Sequence, residues 1–136
     1  MLDSMTQKSL LRPEGLVQSP VFSHVAVVPP GATTVYVGGQ NAVAADGTLV
    51  GRDDVAVQTQ QVMTNLHVAL AAAGATVHDL VMMTILAVEG VDIAAAYPVA
   101  AAQMAGAVPP VVVARVAGLA VPGALVEVSA VAAVSR

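Results

Sequence analysis

The sequence has no cysteine and no tryptophan, and only three of its 136 residues are aromatic, namely Phe22, Tyr36 and Tyr97. Without cysteine the chain has no disulfide and no thiol nucleophile, which fits a reducing cytoplasm. Charged residues are scarce as well, at 10% against a usual share of about 25%. The five basic residues form no cluster and the net charge is −4. This argues against nucleic-acid binding, because proteins neutralise phosphates with Lys and Arg.

Small apolar side chains fill much of the sequence, with 27 alanines and 28 valines. The apolar fraction of 57% excludes intrinsic disorder. Five basic and nine acidic residues cannot cover the surface of a globule of this size, so apolar surface must be buried against a membrane or another copy of the chain. The uncharged residues 93–114 are long enough to span a membrane but contain three prolines, which break helices. Self-association is therefore expected, with no membrane partner.

The predicted elements follow the order strand, strand, helix, strand, helix, strand, strand. Residues 1–19 are polar and aperiodic and form a predicted N-terminal arm without signal-peptide character, and residues 20–136 form one domain. The order ββαβαββ predicts an α+β fold, with two helices packed on one face of a mixed sheet. The strands are predicted at 21–28, 33–37, 80–88, 111–117 and 124–133, and the helices at 54–73 and 92–104.

Two turns are predicted to join neighbouring strands. Pro29-Pro30-Gly31 connects the first two strands as a hairpin, and Pro122-Gly123 connects the last two. The sheet face away from the helices is also apolar, and the chain has no third layer to cover it. Oligomerisation through that face follows from packing.

Three segments, taken in order, resemble the YjgF-like reactive-intermediate deaminase (Rid) family. Residues 35–40, VYVGGQ, resemble the family's hydrophobic strand that ends in Ser-Gly-Gln. Residues 58–74, which open with Gln58-Thr59 and contain Asn65-Leu66, resemble its first helix. Residues 122–128, PGALVEV, resemble its last strand.

The resemblance covers about residues 20–134. It implies a chorismate-mutase-like α+β fold and a homotrimer with small-molecule clefts between its subunits. It also implies hydrolysis of enamine or imine intermediates to 2-oxo acids and ammonia. Some members of the family carry an older description as endoribonucleases, but this sequence lacks a basic groove for RNA.

Transferred residue by residue, the family's site matches this sequence fully only at Gly39 and Glu127. The arginine that clamps the substrate carboxylate in the family falls on Val111, which cannot donate paired N–H bonds. The other ligand-binding positions each lose a polar group: serine is replaced by Gly38, tyrosine by Phe22 and a small polar residue by Val113.

Glu127 is the candidate catalytic residue, because it is an acid within the apolar strand sequence LVEVSAV. Such a carboxyl suits proton transfer or the holding of a water molecule. The alternative is a structural carboxylate at a subunit interface, bonded to backbone amides.

Arg115 lies four residues after Val111, so both side chains are expected on one sheet face, ~13 Å apart along the strand. Three roles are open for it. It forms a relocated carboxylate clamp, it pairs with Glu127 across the last hairpin as a buried ion pair, or it is a solvated residue at the sheet edge.

Gly38-Gly39 is too short for a nucleotide-binding fingerprint. It forms either a nest of backbone amides for a small anion or a bend that ends the strand. The three histidines, His24, His67 and His78, show no ligand spacing, so neither a metal site nor a cofactor is predicted.

Two function classes remain. The first is an enzyme, a hydrolase of the imine-deaminase type whose cleft chemistry is altered by Val111. The second is a non-catalytic trimer that binds a small metabolite or a protein.

The composition generates a prediction about assembly. We expect light scattering to give about three times the 13.5 kDa mass of one chain, because the apolar surplus needs an interface. A monomer that stays stable at micromolar concentration would contradict it.

Overall fold

The computed structural model describes residues 7–135 of the chain. Two helices and a mixed sheet build an α+β fold, which confirms the predicted class. Among the described residues neither helix combines the length and hydropathy required to cross a membrane. In chain order the elements are β1 (Ser9–Leu11), β2 (Val25–Val27), β3 (Thr33–Gln40), α1 (Val55–Ala72), a 3-10 turn (Val77–Asp79), β4 (Leu80–Val88), α2 (Ile93–Gln103), β5 (Val111–Val116) and β6 (Val126–Val134).

The main sheet has four strands in the order β3-β6-β4-β5. Strand β6 runs antiparallel to both β3 and β4, whereas β5 runs parallel to β4. The predicted direct connection of the last two strands as a hairpin is therefore wrong, because β4 lies between them. Strand β4 is apolar at every position but Thr84. A central place in the sheet, with a neighbouring strand along each edge, buries more of this apolar surface than a place at the sheet edge would.

The N-terminal strands form a separate two-stranded sheet, β1-β2, which pairs Ser9 with Val27. The predicted hairpin between residues 21–28 and 33–37 is wrong, because β2 pairs with β1 rather than with β3. Pro29 and Pro30 follow β2 directly and have no N–H to donate to a neighbouring strand. Strand β1 adds one element to the predicted order. It falls within the predicted arm at 1–19, of which residues 1–6 lie outside the described part.

Helix α1 covers β3 and β6, and α2 packs against α1. Asp54 caps the start of α1, since its carboxylate accepts a hydrogen bond from the amide of Val57 at 3.1 Å. The helix ends before Gly74, whose φ of +72° suits glycine and whose amide donates to the carbonyl of Ala71 at 3.0 Å. Both ends of the helix therefore lie within two residues of their prediction.

The helix-covered face of the sheet forms the hydrophobic core. Along β6 every second side chain points into it, from Val126 to Ala132, and each of these four is at most 6% exposed. Their partners in α1 are fully buried as well. The core-facing residues of α1 are Val62, Met63, Leu66 and Leu70.

The opposite face, here called the open face, has no covering layer within the described residues. The strand pairings identify the side chains that lie on this face. They include Tyr36, which is 80% exposed, and Met82, which is 38% exposed. Met82 and Met83 are neighbours in the sequence but lie on opposite faces, and only Met83 is buried. The open face comprises Thr34, Tyr36, Met82, Thr84, Leu86, Val88, Val112, Ala114, Val116, Glu127, Ser129, Val131 and Ala133.

Gln58 is a fully buried polar residue in the first turn of α1. Its Nε2 donates to the carbonyls of Gly51 at 3.2 Å and Gly123 at 3.0 Å. Its Oε1 accepts from the amide of Leu125 at 2.8 Å. One side chain therefore joins the loop before α1 to the turn that leads into β6.

Gln58→Leu should lower the free energy of unfolding by about 2–4 kcal/mol, because it leaves the carbonyl of Gly123 and the amide of Leu125 without partners and removes one of the two donors to the carbonyl of Gly51. Denaturant unfolding at a fixed protein concentration measures the change. Gln60→Leu is the matched control on the same helix, because Gln60 is exposed. Equal losses of unfolding free energy in the two variants would contradict the prediction, because the hydrogen bonds of Gln58 would then stabilise the fold no more than those of an exposed glutamine.

Candidate functional site

Glu127 lies on the open face, near the start of β6. It stands directly opposite Leu86 of β4. The side chain is half-buried rather than buried as predicted, and Nδ2 of Asn41 donates to its Oε1 at 3.3 Å. Among the described residues its carboxylate forms no ion pair. A negative charge is therefore held at a sheet surface with one amide as its side-chain partner.

A β-bulge brings the backbone of β3 against Glu127. Val37 pairs with Ala130 and Gln40 pairs with Val128. Between these two pairs β3 advances by three residues and β6 by only two, so the extra residue of the bulge lies at Gly38-Gly39. A Cβ on Gly39 would lie 2.8 Å from Cδ and 2.9 Å from Oε2 of Glu127, whereas a Cβ on Gly38 would meet nothing within 4 Å. The close approach of the carboxylate therefore requires glycine at 39 and not at 38.

Helix α1 fixes the chain that follows this bulge. Nδ2 of Asn65 donates to the carbonyls of Asn41 at 3.0 Å and Val43 at 2.9 Å. Its Oδ1 accepts from Nε2 of Gln61 at 2.9 Å. Asn65 thus holds the backbone of Asn41, and the Asn41 side chain in turn holds Glu127.

Asn41 was not among the predicted site residues. It directly follows Gly38-Gly39-Gln40, the end of the segment that resembles the family's Ser-Gly-Gln strand, so its place in the sequence indicated that it lies near the site. The pairing of β3 with β6 was needed to show that this amide reaches Glu127.

Val111, Val113 and Arg115 lie on the other face of the sheet. Val111 pairs with Met83, a core residue, and Glu127 pairs with Leu86 on the same strand β4. Because Met83 and Leu86 are three residues apart in a regular stretch of strand, their side chains point to opposite faces. Val111 packs against the core, while Val113 is 57% exposed.

Arg115 is exposed, and its guanidinium donates to the carbonyl of Val91 at 3.2 Å. The hypothesis of a buried ion pair with Glu127 is wrong. Strand β4 separates the two residues, and their side chains leave the sheet on opposite faces. Of the three roles considered, the solvated edge residue agrees with this geometry, and the relocated clamp remains a hypothesis.

Phe22 lies beside the start of β5, because its neighbour Ser23 bridges to Pro110. Its ring contacts His24 edge-on at 5.3 Å, and its carbonyl accepts from Nε of Arg12 at 3.1 Å. The predicted site residues, with Asn41 added, therefore fall into two groups. The glutamate half-site comprises Gly38, Gly39, Asn41 and Glu127, and the valine half-site comprises Phe22, Val111, Val113 and Arg115.

A shallow depression of about 200 Å³ runs along the open face beside the glutamate half-site. The pair Ser129–Thr84 lies next to Glu127–Leu86 on the same face, ~7 Å further along the strands. The walls are apolar except for hydroxyl groups. The lining side chains of the open face are Tyr36, Met82, Thr84, Ser129 and Val131.

Charge elsewhere in the described chain is sparse. In the turn before Leu49, the hydroxyl of Thr48 donates to the carboxylate of Asp46 at 2.6 Å, and this hydrogen bond lowers the pKa of Asp46. No three His, Asp or Glu side chains converge within residues 7–135 in a way that would hold a metal ion.

A mixed sheet with two helices on one face defines a YjgF-like α+β fold. The family model described as Endoribonuclease L-PSP matches residues 17–134. The chain therefore belongs to this family, which is the YjgF-like Rid family of the sequence resemblance. No curated protein matches the chain significantly.

Solved structures of the family are similar over nearly their whole length. YyfB from Yersinia pestis, a Rid-family protein of unknown function, is 33% identical with a TM-score of 0.77, and the match covers 93% of this chain and 98% of that one. Rv2704 from Mycobacterium tuberculosis, a member of the YjgF/YER057c/UK114 family, is 27% identical with a TM-score of 0.60, over 94% and 100% of the chains.

The contact between Gly39 and Glu127 can be tested by a double-mutant cycle. In the wild type, Gly39→Ala pushes the Glu127 side chain aside, whereas in a Glu127→Ala background the added methyl group has room. We expect a coupling of at least about 0.5 kcal/mol in unfolding free energy. Gly38→Ala is the matched control, and its effect should be independent of residue 127. A coupling near zero for Gly39 would contradict the observed contact.

Proposed function

We propose that this protein binds small molecules in a cleft formed between two copies of the chain, with Glu127 as the reactive group. The observation that carries the proposal is the separation of the half-sites. Within one chain Glu127 and the three β5 residues of the valine half-site, Val111, Val113 and Arg115, lie on opposite faces of the sheet, two strands apart. The two half-sites line one cleft only if a second copy supplies one of them.

The open face supports self-association. Its residues include Tyr36, Met82 and Val112, all exposed, and no element within residues 7–135 covers them. Exposed apolar surface of this extent is typical of an interface. The family resemblance implies three copies and hence a homotrimer with three clefts.

The reaction that suits such a cleft is the hydrolysis of an imine. Water attacks the carbon of the C=N bond, and a carboxylate that accepts a proton from that water raises its nucleophilicity. That proton passes to the nitrogen to give a carbinolamine. Its hydroxyl proton then moves to the nitrogen as the C–N bond breaks, so that a carbonyl compound and ammonia leave. Glu127 has free acceptor positions for this step, because among its described side-chain contacts only Asn41 donates to it.

Substrates that carry a carboxylate are disfavoured by Val111. An arginine at this position would hold the carboxylate through two parallel charge-assisted hydrogen bonds. Their loss costs about 2–4 kcal/mol, which is roughly a 30- to 1000-fold loss in rate. Free imines also hydrolyse spontaneously, so a loss of this size hides much of the catalysis.

The absence of that arginine also favours a second candidate, a trimer that binds a small metabolite or a protein without chemistry. An endoribonuclease is not proposed. The described residues contain four cations, Lys8, Arg12, Arg52 and Arg115, of which Arg12 is bonded to Phe22 and Arg115 to Val91. RNA binding requires a cluster of cations that neutralises several phosphates.

We expect the wild type to accelerate the hydrolysis of freshly generated 2-iminopropanoate little over the spontaneous rate. Val111→Arg should restore part of the activity, because it adds the missing cation while Gly38 and Phe22 still lack hydroxyls. Ammonia release measures the rate, and Val113→Arg is the control with the same charge on the same face. Robust wild-type activity that disappears in Glu127→Ala would contradict this expectation, and would assign the anchoring to Arg115 or to the amides of Gly38 and Gly39.

A further inference from the structure

The open face carries one charged side chain. All its strand residues are uncharged except Glu127, and every strand of the main sheet lies in the described part of the chain. The surroundings that one copy of the chain supplies to the carboxylate are therefore uncharged and largely apolar. Tyr36, Thr84 and Ser129 add hydroxyl groups along the neighbouring depression.

We propose that the glutamate half-site selects small imines, or their protonated iminium ions, that carry no carboxylate. The inference rests on the proposed function, because it names the substrate class of the same cleft. It goes beyond the proposed effect of Val111 on carboxylate substrates, since it assigns to Glu127 the recognition of a protonated nitrogen.

The hydrogen bonds of Glu127 support the selection of an N–H donor. Asn41 donates to Oε1, and Oε2 lies close to the backbone of Gly39 and accepts no hydrogen bond from a described residue. A carboxylate has about four acceptor positions, so several stay available. An iminium N–H that donates to one of them forms a charge-assisted hydrogen bond, which is shorter and stronger than a neutral one.

The electrostatics disfavour a carboxylate on the same ligand. Among the described residues no cation pairs with Glu127, and Arg115 leaves the sheet on the other face. A second negative charge beside Glu127 would be repelled, and a subunit packed on the open face would remove the water that screens it. A cationic ligand instead neutralises Glu127 as it binds.

The space beside Glu127 fits a small ring or a short chain. The shallow depression on this face has a volume of about 200 Å³, and a second copy packed on the open face would close it over a ligand. Its apolar walls, Met82 and Val131, suit hydrocarbon, and the hydroxyls of Thr84 and Ser129 are placed to hold water. In the hydrolysis of such an imine, the water oxygen bonds to the carbon while Glu127 passes one water proton to the nitrogen. The remaining hydroxyl proton also moves to the nitrogen as the C–N bond breaks, which gives an aldehyde or ketone and an amine or ammonia.

Two stable compounds test the selection by a single difference. Pyrrolidinium and proline share the ring and the protonated nitrogen, and only proline has a carboxylate. Calorimetry or NMR titration at low ionic strength, where charge effects are least screened, should show pyrrolidinium binding at least about tenfold more tightly than proline, which corresponds to about 1.4 kcal/mol. Glu127→Gln, which keeps the shape and removes the charge, should abolish this preference.

Glu89→Gln is the matched control, because it removes one negative charge from an exposed position just after β4 and should leave the preference unchanged. The reaction is followed in parallel as ammonia release from freshly generated propan-2-imine and 2-iminopropanoate, which differ only by a methyl group in place of the carboxylate, and we expect Glu127-dependent acceleration with the first only. Equal or tighter binding of proline would overturn the selection and leave the proposed cleft intact. Failure of both pyrrolidinium and proline to bind, together with imine hydrolysis that is indifferent to Glu127→Gln, would overturn both proposals.

Discussion

Strand β6 pairs with β3 on one side and with β4 on the other, and its alternation of side chains decides what each face of the sheet can do. Four of its residues, from Val126 to Ala132, point under helix α1 and are buried. The residues between them therefore have to point away from the core. This is why Glu127 reaches a surface at all, and why its neighbours Ser129 and Val131 face the same depression.

The position of Glu127 along β6 depends on contacts from outside the strand. Gln58 holds the amide of Leu125, two residues earlier, and so sets where the strand begins. Asn65 holds the backbone of Asn41, whose amide reaches the carboxylate. Helix α1 thus supports the glutamate half-site through buried hydrogen bonds, and a carboxylate positioned in this way keeps its geometry when a ligand arrives.

Much of the local structure was predictable because it depends on neighbours within a few residues. Strand β4 was predicted with the bounds that it has, Leu80–Val88, since a short uncharged run between turns is typical of a central strand. Helix α1 was predicted to within two residues from Asp54 at its start and Gly74 at its end. Glu127 and Gly39 were recognised from short motifs, and the structure places them in contact.

The sequence by itself determined both helices and the strands of the main sheet, the apolar surplus, and Gly39 and Glu127 as candidate site residues. Only the tertiary structure decided that β4 separates β5 from β6, that β2 pairs with β1, and that Val111 and Arg115 face away from Glu127. The physical reason is that strands compete for partners across the whole chain. Inserting one strand between two others changes every neighbour, and a shift of one residue in register turns a side chain to the other face, while the local pattern stays the same.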